Sequence, residues 1–399
     1  MRCNPNQKRQ PFLSLIGMLM LLASLLPASG RAQITLSDSA RISLLTCSPG
    51  HDELYSIFGH TGIRVTDYKQ GFDVVFNYGT FNFNRPGFYL NFCRGLLYFM
   101  VAIDRFDDFR GQYIYEQRSI YEQELLLSTA SKQQMFAFLL NNTQPENCEY
   151  NYDFLFDNCA TRVRDVFEKY SGHNFKTDYS AFPQKSFRDL IDDYSAAHPW
   201  YQFGMGILIG LPVDRQATPR EQCFLPDYLS EAVAHTTVEG HPLAKPRQLI
   251  LDAPASPETS FAVTPNMVFI GLLLLALMIT WLEWQRQTHF RWFDLLLFTA
   301  AGLIGTLYVV LLTLTQHKTP AWNLNFFWAW PTHWFFVWFK PKGSKRMAQY
   351  FQMAALSAGF MALFGWMMPQ HFMAANWFIA ATIAVRAFQL GRYHQSKQP

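Results

Sequence analysis

The chain has 399 residues, half of them hydrophobic and 17% aromatic, and a formal net charge of +3. So small a positive balance gives no electrostatic case for nucleic acid, and no nucleic-acid partner is expected. The apolar residues are unevenly spread: the first two thirds read as a polar, aromatic-rich globular segment, the last third as a series of apolar runs.

The N-terminus has the layout of a secretory signal peptide. Lys8 and Arg9 supply charge, Phe12 to Leu26 a short apolar core, and Gly30-Arg31-Ala32 a cleavage site that leaves Gln33 first in the mature chain. The alternative is a retained anchor, for which the core is short. Cys3 would leave with the signal, so Cys47, Cys93, Cys148, Cys159 and Cys223 remain. An exported compartment permits disulfides, and an odd count leaves at least one thiol unpaired. Two bridges and a free Cys159 would suit a nucleophile, although spacing does not fix the pairing. No metal-binding cysteine or histidine spacing is present.

From Gln33 to His241 the chain reads as one mixed α/β domain. Strands are expected at Ile42 to Leu45, Thr61 to Thr66 and Asp73 to Tyr78, and helices at Ser131 to Leu140, Asn158 to Tyr170 and Ser186 to Tyr194. The glycine-rich apolar run Gly204 to Pro212 reads as a packed turn, or as a segment touching the membrane surface. His241 to Pro265, rich in proline, alanine and serine, reads as a linker.

Apolar runs follow at Met267 to Trp284, Trp292 to Leu314, Phe326 to Phe339, Met347 to Met368 and Phe372 to Leu390. The third is short, aromatic and interrupted by Pro331, so it is a span or a re-entrant piece. With five spans, the basic loop Lys340 to Arg346, the stretch Arg286 to Arg291 and the tail with Arg392 and Lys397 share one side, which the positive-inside rule makes cytoplasmic. The first domain and the loop Gln316 to Asn325 then face outward, as the signal peptide independently requires.

The chemistry centres on Asp157-Asn158-Cys159-Ala160-Thr161. Cys159, Val163, Val166, Phe167 and Tyr170 make an apolar helical stripe, and Asp157 or Asn158 is a good N-cap. Cys159 then stands at the positive end of a helix, where a thiol ionises more easily. It is a nucleophile or a buried structural cysteine. A nucleophile needs a base, and His60 is the candidate. Strand alternation puts His60, Gly62, Arg64 and Thr66 on one face, with the glycine leaving room for substrate. The other reading makes His60 an ordinary strand-end histidine. On the next strand Asn77 is placed to accept from the imidazole and Tyr78 to donate to an oxyanion, unless this is a plain edge strand. The carboxylates Asp52, Glu53, Asp104, Asp107 and Asp108 read as solvated faces. In the outer loop, His317 and Asn323 either reach a lipid headgroup or the first domain, or belong to an interfacial cap anchored by Trp322.

Four segments in order, Leu44 to Gly50, Phe58 to Val65, Phe76 to Phe81 and Asp157 to Thr161, resemble the Lnb N-terminal periplasmic domain family of Bacteroidota. That family is similar in turn to the permuted NlpC-type and lecithin:retinol acyltransferase-like thiol enzymes. The resemblance implies an α+β fold, a permuted papain-like (NlpC-type) extracytoplasmic domain followed by an all-α multi-span transmembrane domain. The domain layout is then a signal peptide (1–32), a periplasmic thiol-enzyme domain (33–240), a linker (241–265), a transmembrane domain of about five helices (266–391) and a cytoplasmic tail (392–399), in the inner membrane. It further implies a lipoprotein N-acyltransferase without cofactor or metal, moving an acyl chain from a phospholipid donor through a Cys159 thioester to the amine of a diacylated lipoprotein acceptor. Cys159 and His60 carry the family's chemistry. Asn77 stands where wider relatives often have a second histidine; Tyr78 as oxyanion donor, and Arg64, Gly62, His317 and Asn323 as substrate contacts, are expected from their strand and loop positions and not from the family. The alternative is a cysteine peptidase or amidase acting on peptidoglycan.

Overall fold

The computed structural model describes residues 34–50, 53, 55–81, 86–253, 263–338 and 344–396. The expected signal peptide, residues 254–262 of the expected linker, residues 340–343 of the basic loop and the last three residues lie outside the described residues.

The three expected strands form, each slightly longer: β1 (Arg41–Cys47), β2 (His60–Asp67) and β3 (Phe72–Phe81). They are joined by β4 (Tyr98–Arg105), β5 (Ile120–Glu124), β6 (Glu149–Asn151) and, far along the chain, β10 (Gln248–Leu251). The sheet order is β10-β5-β1-β2-β3-β4-β6, with every pairing antiparallel. Short strands β7 (Lys176–Thr177), β8 (Thr236–Val238) and β9 (His241–Pro242) make a second small sheet. The stretch from His241 is therefore not a linker as far as Leu251: it supplies β9 and an edge strand, and the N-terminal domain runs past the expected boundary at 240.

The helices of this domain are α1 (Phe88–Cys93), α2 (Phe106–Tyr115), α3 (Thr129–Asn142), α4 (Cys159–Tyr170), α5 (Phe187–Ser195), α6 (Pro199–Leu208), α7 (Pro219–Gln222) and α8 (Pro226–Ala234). The 3.6-residue stripe of α4 is buried at Val163, Val166 and Phe167 and lies across β2 and β3. The opposite face of the sheet is covered by Phe109 and Tyr113 of α2, which pack on Leu45, Cys47, Val75 and Ile120. The central strands are thus buried on both faces, and β1 is buried without a break from Ile42 to Cys47, Ser43 and Thr46 included.

The C-terminal region is a bundle of α9 (Pro265–Arg286), α10 (Arg291–Leu314), α11 (His333–Trp338), α12 (Lys345–Phe364) and α13 (Ala374–Ser396). Of these, α9, α10 and the helix through α12 to Met367 are long and apolar enough to cross a membrane. The third expected run is a broken pass. A 3₁₀ turn at Leu324–Phe327 is followed by non-helical backbone around Pro331 and then by α11. It runs antiparallel along α10. Phe326 meets Tyr308, Trp334 Nε1 donates to Thr306 Oγ1, and Trp338 Nε1 donates to Thr299 Oγ1. Gly302 and Gly305 of α10 allow this contact, because a Cβ at either would strike the backbone of the broken segment. Proline removes helical hydrogen bonds, and the exposed carbonyls need other donors away from water. Ser357 Oγ donates to the Phe327 carbonyl at 2.7 Å and His333 Nε2 to the Trp328 carbonyl at 3.2 Å. Near the other end of the bundle Arg386 bonds both Glu283 and Asp294 at 2.7–3.0 Å, with all three fully buried. Helix α13 continues to Ser396, through most of the expected tail.

The N-terminal domain rests on one end of this bundle. Gln316 N donates to the Arg94 carbonyl and Gly210 N to the Thr319 carbonyl, each at 2.8 Å. His371 N donates to Asp214 Oδ1, also at 2.8 Å. The glycine-rich run is mostly the helix α6 rather than a turn, and its Phe203 packs on Phe269 of α9 at 4.9 Å between centroids.

Candidate active site

Helix α4 begins at Cys159 because Asn158 stops it there. Asn158 Oδ1 accepts from Thr161 N at 2.9 Å, and Thr161 Oγ1 accepts from Asn158 N at 2.7 Å, a reciprocal capping box. The Asn158 amide also donates to the carbonyls of Phe154 and Phe224 at 2.8 and 2.9 Å. The cap is buried and fully bonded, so the first turn of α4 is fixed in place. Cys159 is its first residue, half-buried, with the free N–H groups of the helix start beside it.

Strand β3 makes room for the thiol. Its ladder to β4 slips between Tyr78 and Thr80, and the bulged residue is Gly79 with φ +95°. A Cβ at Gly79 would stand 3.6 Å from Cys159 Cβ and 3.7 Å from His60 Cε1. The glycine is therefore the floor on which nucleophile and imidazole meet.

His60 opens β2, and its Nε2 lies 2.7 Å from Asn77 Oδ1. The Asn77 amide nitrogen donates in turn to Asp104 Oδ2 at 2.8 Å. Asp104 fixes the orientation of this amide: the NH₂ must face the carboxylate, so the oxygen faces His60. A carbonyl oxygen only accepts, so His60 keeps a proton on Nε2, and Nδ1 is the ring nitrogen left to exchange a proton with Cys159. Sequence reading placed Asp104 among solvated carboxylates, and it is instead half-buried and bonded. The signal for it was the unrecognised strand β4, where Asp104 shares a face with Ala102, the partner of Asn77. Asp107 and Asp108 do lie in the exposed first turn of α2.

The electrostatics agree with the geometry. Burial pushes the Cys159 thiol up, but the His60 charge, a hydrogen bond from His60 and the Thr61 N–H outweigh it, and the thiol sits below its ordinary range. Burial pushes His60 down, and the Cys159 thiolate together with hydrogen bonds to Cys159 and Asn77 brings it above the ordinary imidazole value. Opposite shifts on the two groups, each caused by the other, favour moving the proton from the thiol toward the imidazole. Cys47, opposite His60 on β1, is different: burial pushes its thiol to about 12, against a hydrogen bond with Tyr113. Cys223 is likewise raised to about 12 by burial. All five described cysteines are free, so the two bridges considered from the cysteine count do not form.

Tyr150 and Tyr152 were not singled out from sequence. Both hydroxyls are held above the ordinary tyrosine range, chiefly by burial and next by the charge of Cys159.

Several expected contacts fall elsewhere. The Tyr78 hydroxyl donates to Asn142 Oδ1 at 2.9 Å, so it is committed to α3 and not turned to an oxyanion. Gly62 leaves no room for substrate, because a Cβ there would meet Val75 Cγ1 at 2.8 Å and Phe109 Cζ at 3.9 Å. Arg64 is tied to Asp73 at 2.6 and 2.8 Å and to Glu122 at 3.2 Å, with its guanidinium 3.4 Å from the Phe106 ring centroid. Asn323 is buried and saturated: its amide donates to the Ile207 carbonyl at 2.6 Å while its oxygen accepts from Asn325. It fastens the outer loop to the first domain, one of the two roles considered for it. His317 packs by its backbone against Gly95 and is half-buried.

Two family models match the chain. One, described as the Lnb N-terminal periplasmic domain, covers residues 32–193, and the other, described as the Lnb transmembrane domain, covers residues 256–398. No curated protein and no solved structure matches it.

Proposed function

Because the chain belongs to the Lnb family, with that family's periplasmic domain followed by its transmembrane domain, we propose that it is a membrane-bound lipoprotein N-acyltransferase of Cys-His type. The observation that carries this reading is the run Cys159–His60–Asn77–Asp104 at a helix start, in a domain seated on the end of an apolar bundle.

The Cys159 thiolate attacks the ester carbonyl of a phospholipid. The oxyanion forms beside the free N–H groups at the start of α4, which favour negative charge. Collapse breaks the ester C–O bond, and the His60 imidazolium gives its Nδ1 proton to the departing lysophospholipid oxygen. The chain is left as a thioester with neutral His60. The α-amine of a diacylated lipoprotein then attacks the thioester carbonyl, His60 takes the amine proton, and the thiolate leaves, which restores the ion pair. Asn77 holds the ring in one tautomer throughout, the task of the third member of a triad. Both substrates are membrane-anchored, so a site held beside the bilayer meets them at high local concentration. On this reading the catalytic domain works in the periplasm, against the outer leaflet of the inner membrane.

The test is to replace Cys159 with Ala in cells and to weigh mature lipoproteins by mass spectrometry. Loss of the amide-linked chain is expected. Unchanged triacylation together with loss of muropeptide release would move the assignment to peptidoglycan cleavage.

A further inference from the structure

Helix α1, Phe88-Tyr89-Leu90-Asn91-Phe92-Cys93, is apolar or aromatic at every position but Asn91 and buries none of its residues. Tyr89, Leu90 and Phe92 are 73%, 65% and 51% exposed. A short helix with this much uncovered aromatic and aliphatic surface is out of place in water. Its position explains it. Arg94, at its end, accepts from Gln316 N at 2.8 Å, so α1 lies beside the end of α10, where Leu312 and Leu314 are also exposed. Its apolar surface therefore continues that of a helix built to face lipid. Trp322 in the adjoining loop and Trp366 at the end of α12 are exposed at the same end of the bundle, as side chains at a membrane–water interface are.

A row of rings leads inward from α1. Phe88 stacks on Phe81 at 6.1 Å, Phe81 meets Phe99 at 5.1 Å, and Phe99 stacks on Tyr152 at 4.3 Å between centroids. Register puts Phe81 and Phe99 side by side across β3 and β4. Tyr152 is bound to the same region through its N–H to the Leu97 carbonyl at 2.7 Å, and Phe81 follows closely on β3 after Gly79, whose absent Cβ would stand 3.6 Å from Cys159 Cβ. The row thus joins the exposed helix to the thiol along the α4 side of the sheet.

We infer that α1 lies in the outer lipid leaflet and that the row Phe88–Phe81–Phe99–Tyr152 receives the acyl chain of a bilayer lipid and leads it to Cys159. The inference rests on the acyl-transfer reading for its purpose, but it concerns lipid contact and needs no turnover. Apolar rings supply non-directional burial for a methylene chain, and the approach of β3 to Cys159 at Gly79 sets where the carbonyl stops.

The experiment uses the full chain carrying Cys159→Ser in nanodiscs of phosphatidylethanolamine and phosphatidylglycerol. A phosphatidylethanolamine with a diazirine in one acyl chain is included and photolysed, and labelled peptides are mapped by mass spectrometry. Label on residues 86–101 and 148–153, reduced at least several-fold by adding Phe99→Asp, is expected. Label confined to residues 265–396, or label on 86–101 unchanged by Phe99→Asp, would overturn the inference. Thioester formation by the unsubstituted chain is measured in parallel. Label without a thioester leaves this inference standing and removes the acyl-transfer reading, and a thioester without label does the reverse.

Discussion

Asp104 accepts a hydrogen bond from the Asn77 amide at 2.8 Å, and this contact fixes which face of that amide His60 meets. An unsupported asparagine could present either its oxygen or its nitrogen to the ring, and only the oxygen holds the proton on Nε2. Asp104 is thus a positioning residue that acts through Asn77. Asp104→Asn keeps the size but supplies an amide that can itself rotate. Acylation by this variant is expected to fall by roughly 10- to 100-fold in kcat, as for other outer-shell partners of a catalytic imidazole, with KM for phospholipid little changed. A lost fold or an unchanged kcat would each contradict this role; circular dichroism separates the two.

The ion pair makes a pH prediction with a definite sign. Because the Cys159 thiol is held below its ordinary range, its thiolate persists as pH falls past the point where a free cysteine is protonated. Because His60 is raised, its positive charge persists as pH rises past the ordinary imidazole value. The pair's contribution to stability is therefore present between the two folded titrations. It is lost as pH falls through that of Cys159 or rises through that of His60. Iodoacetamide labelling followed residue by residue should show Cys159 reacting at lower pH than a free cysteine in a model peptide, and Cys47 and Cys223, raised to about 12, not reacting. His60→Gln removes the cation and leaves burial dominant, so the Cys159 profile should move to higher pH.

Gly79 has φ +95°, a conformation that costs a side-chain-bearing residue roughly 1–3 kcal/mol. In Gly79→Ala the new methyl would also touch both Cys159 and His60. A modest fall in thermal midpoint and a much larger loss of thioester formation are expected. Equal losses at Gly79 and at Gly71, an exposed turn glycine with φ +76° and nothing near its absent Cβ, would remove the special role.

Arg386 neutralises Glu283 and Asp294 inside the bundle. Arg386→Met leaves two carboxylates buried without their cation, at a cost of roughly 3–5 kcal/mol. The thermal midpoint in detergent should drop accordingly. Combining it with Glu283→Gln and Asp294→Asn should recover most of the loss.

What could be read from the sequence follows the range of each signal. Period and capping are local, so β1 to β3 and the start of α4 at Cys159 were legible, whereas His60 could be named only as a candidate partner for the thiol. The break in the third apolar run was legible from its shortness and from Pro331, while its path along α10 was not. Asp104 and Tyr152 were not, because each acts across strands whose register no short window shows. Gly62 and Gly79 look alike in sequence. One is packed under Val75 and Phe109, while the other is bulged beneath the thiol, and only the register shift in β3 separates them. Arg64 and Asn323 are polar residues in suggestive places whose partners, Asp73 and Ile207, take up their bonding capacity.

The central claim is that one sulfur carries the acyl group. The direct measurement is the intact mass of the purified full chain after incubation with phospholipid in nanodiscs. One added fatty-acyl mass on Cys159, removed by neutral hydroxylamine and missing in Cys159→Ala, is predicted. No added mass, or an adduct that survives in Cys159→Ala, would contradict it.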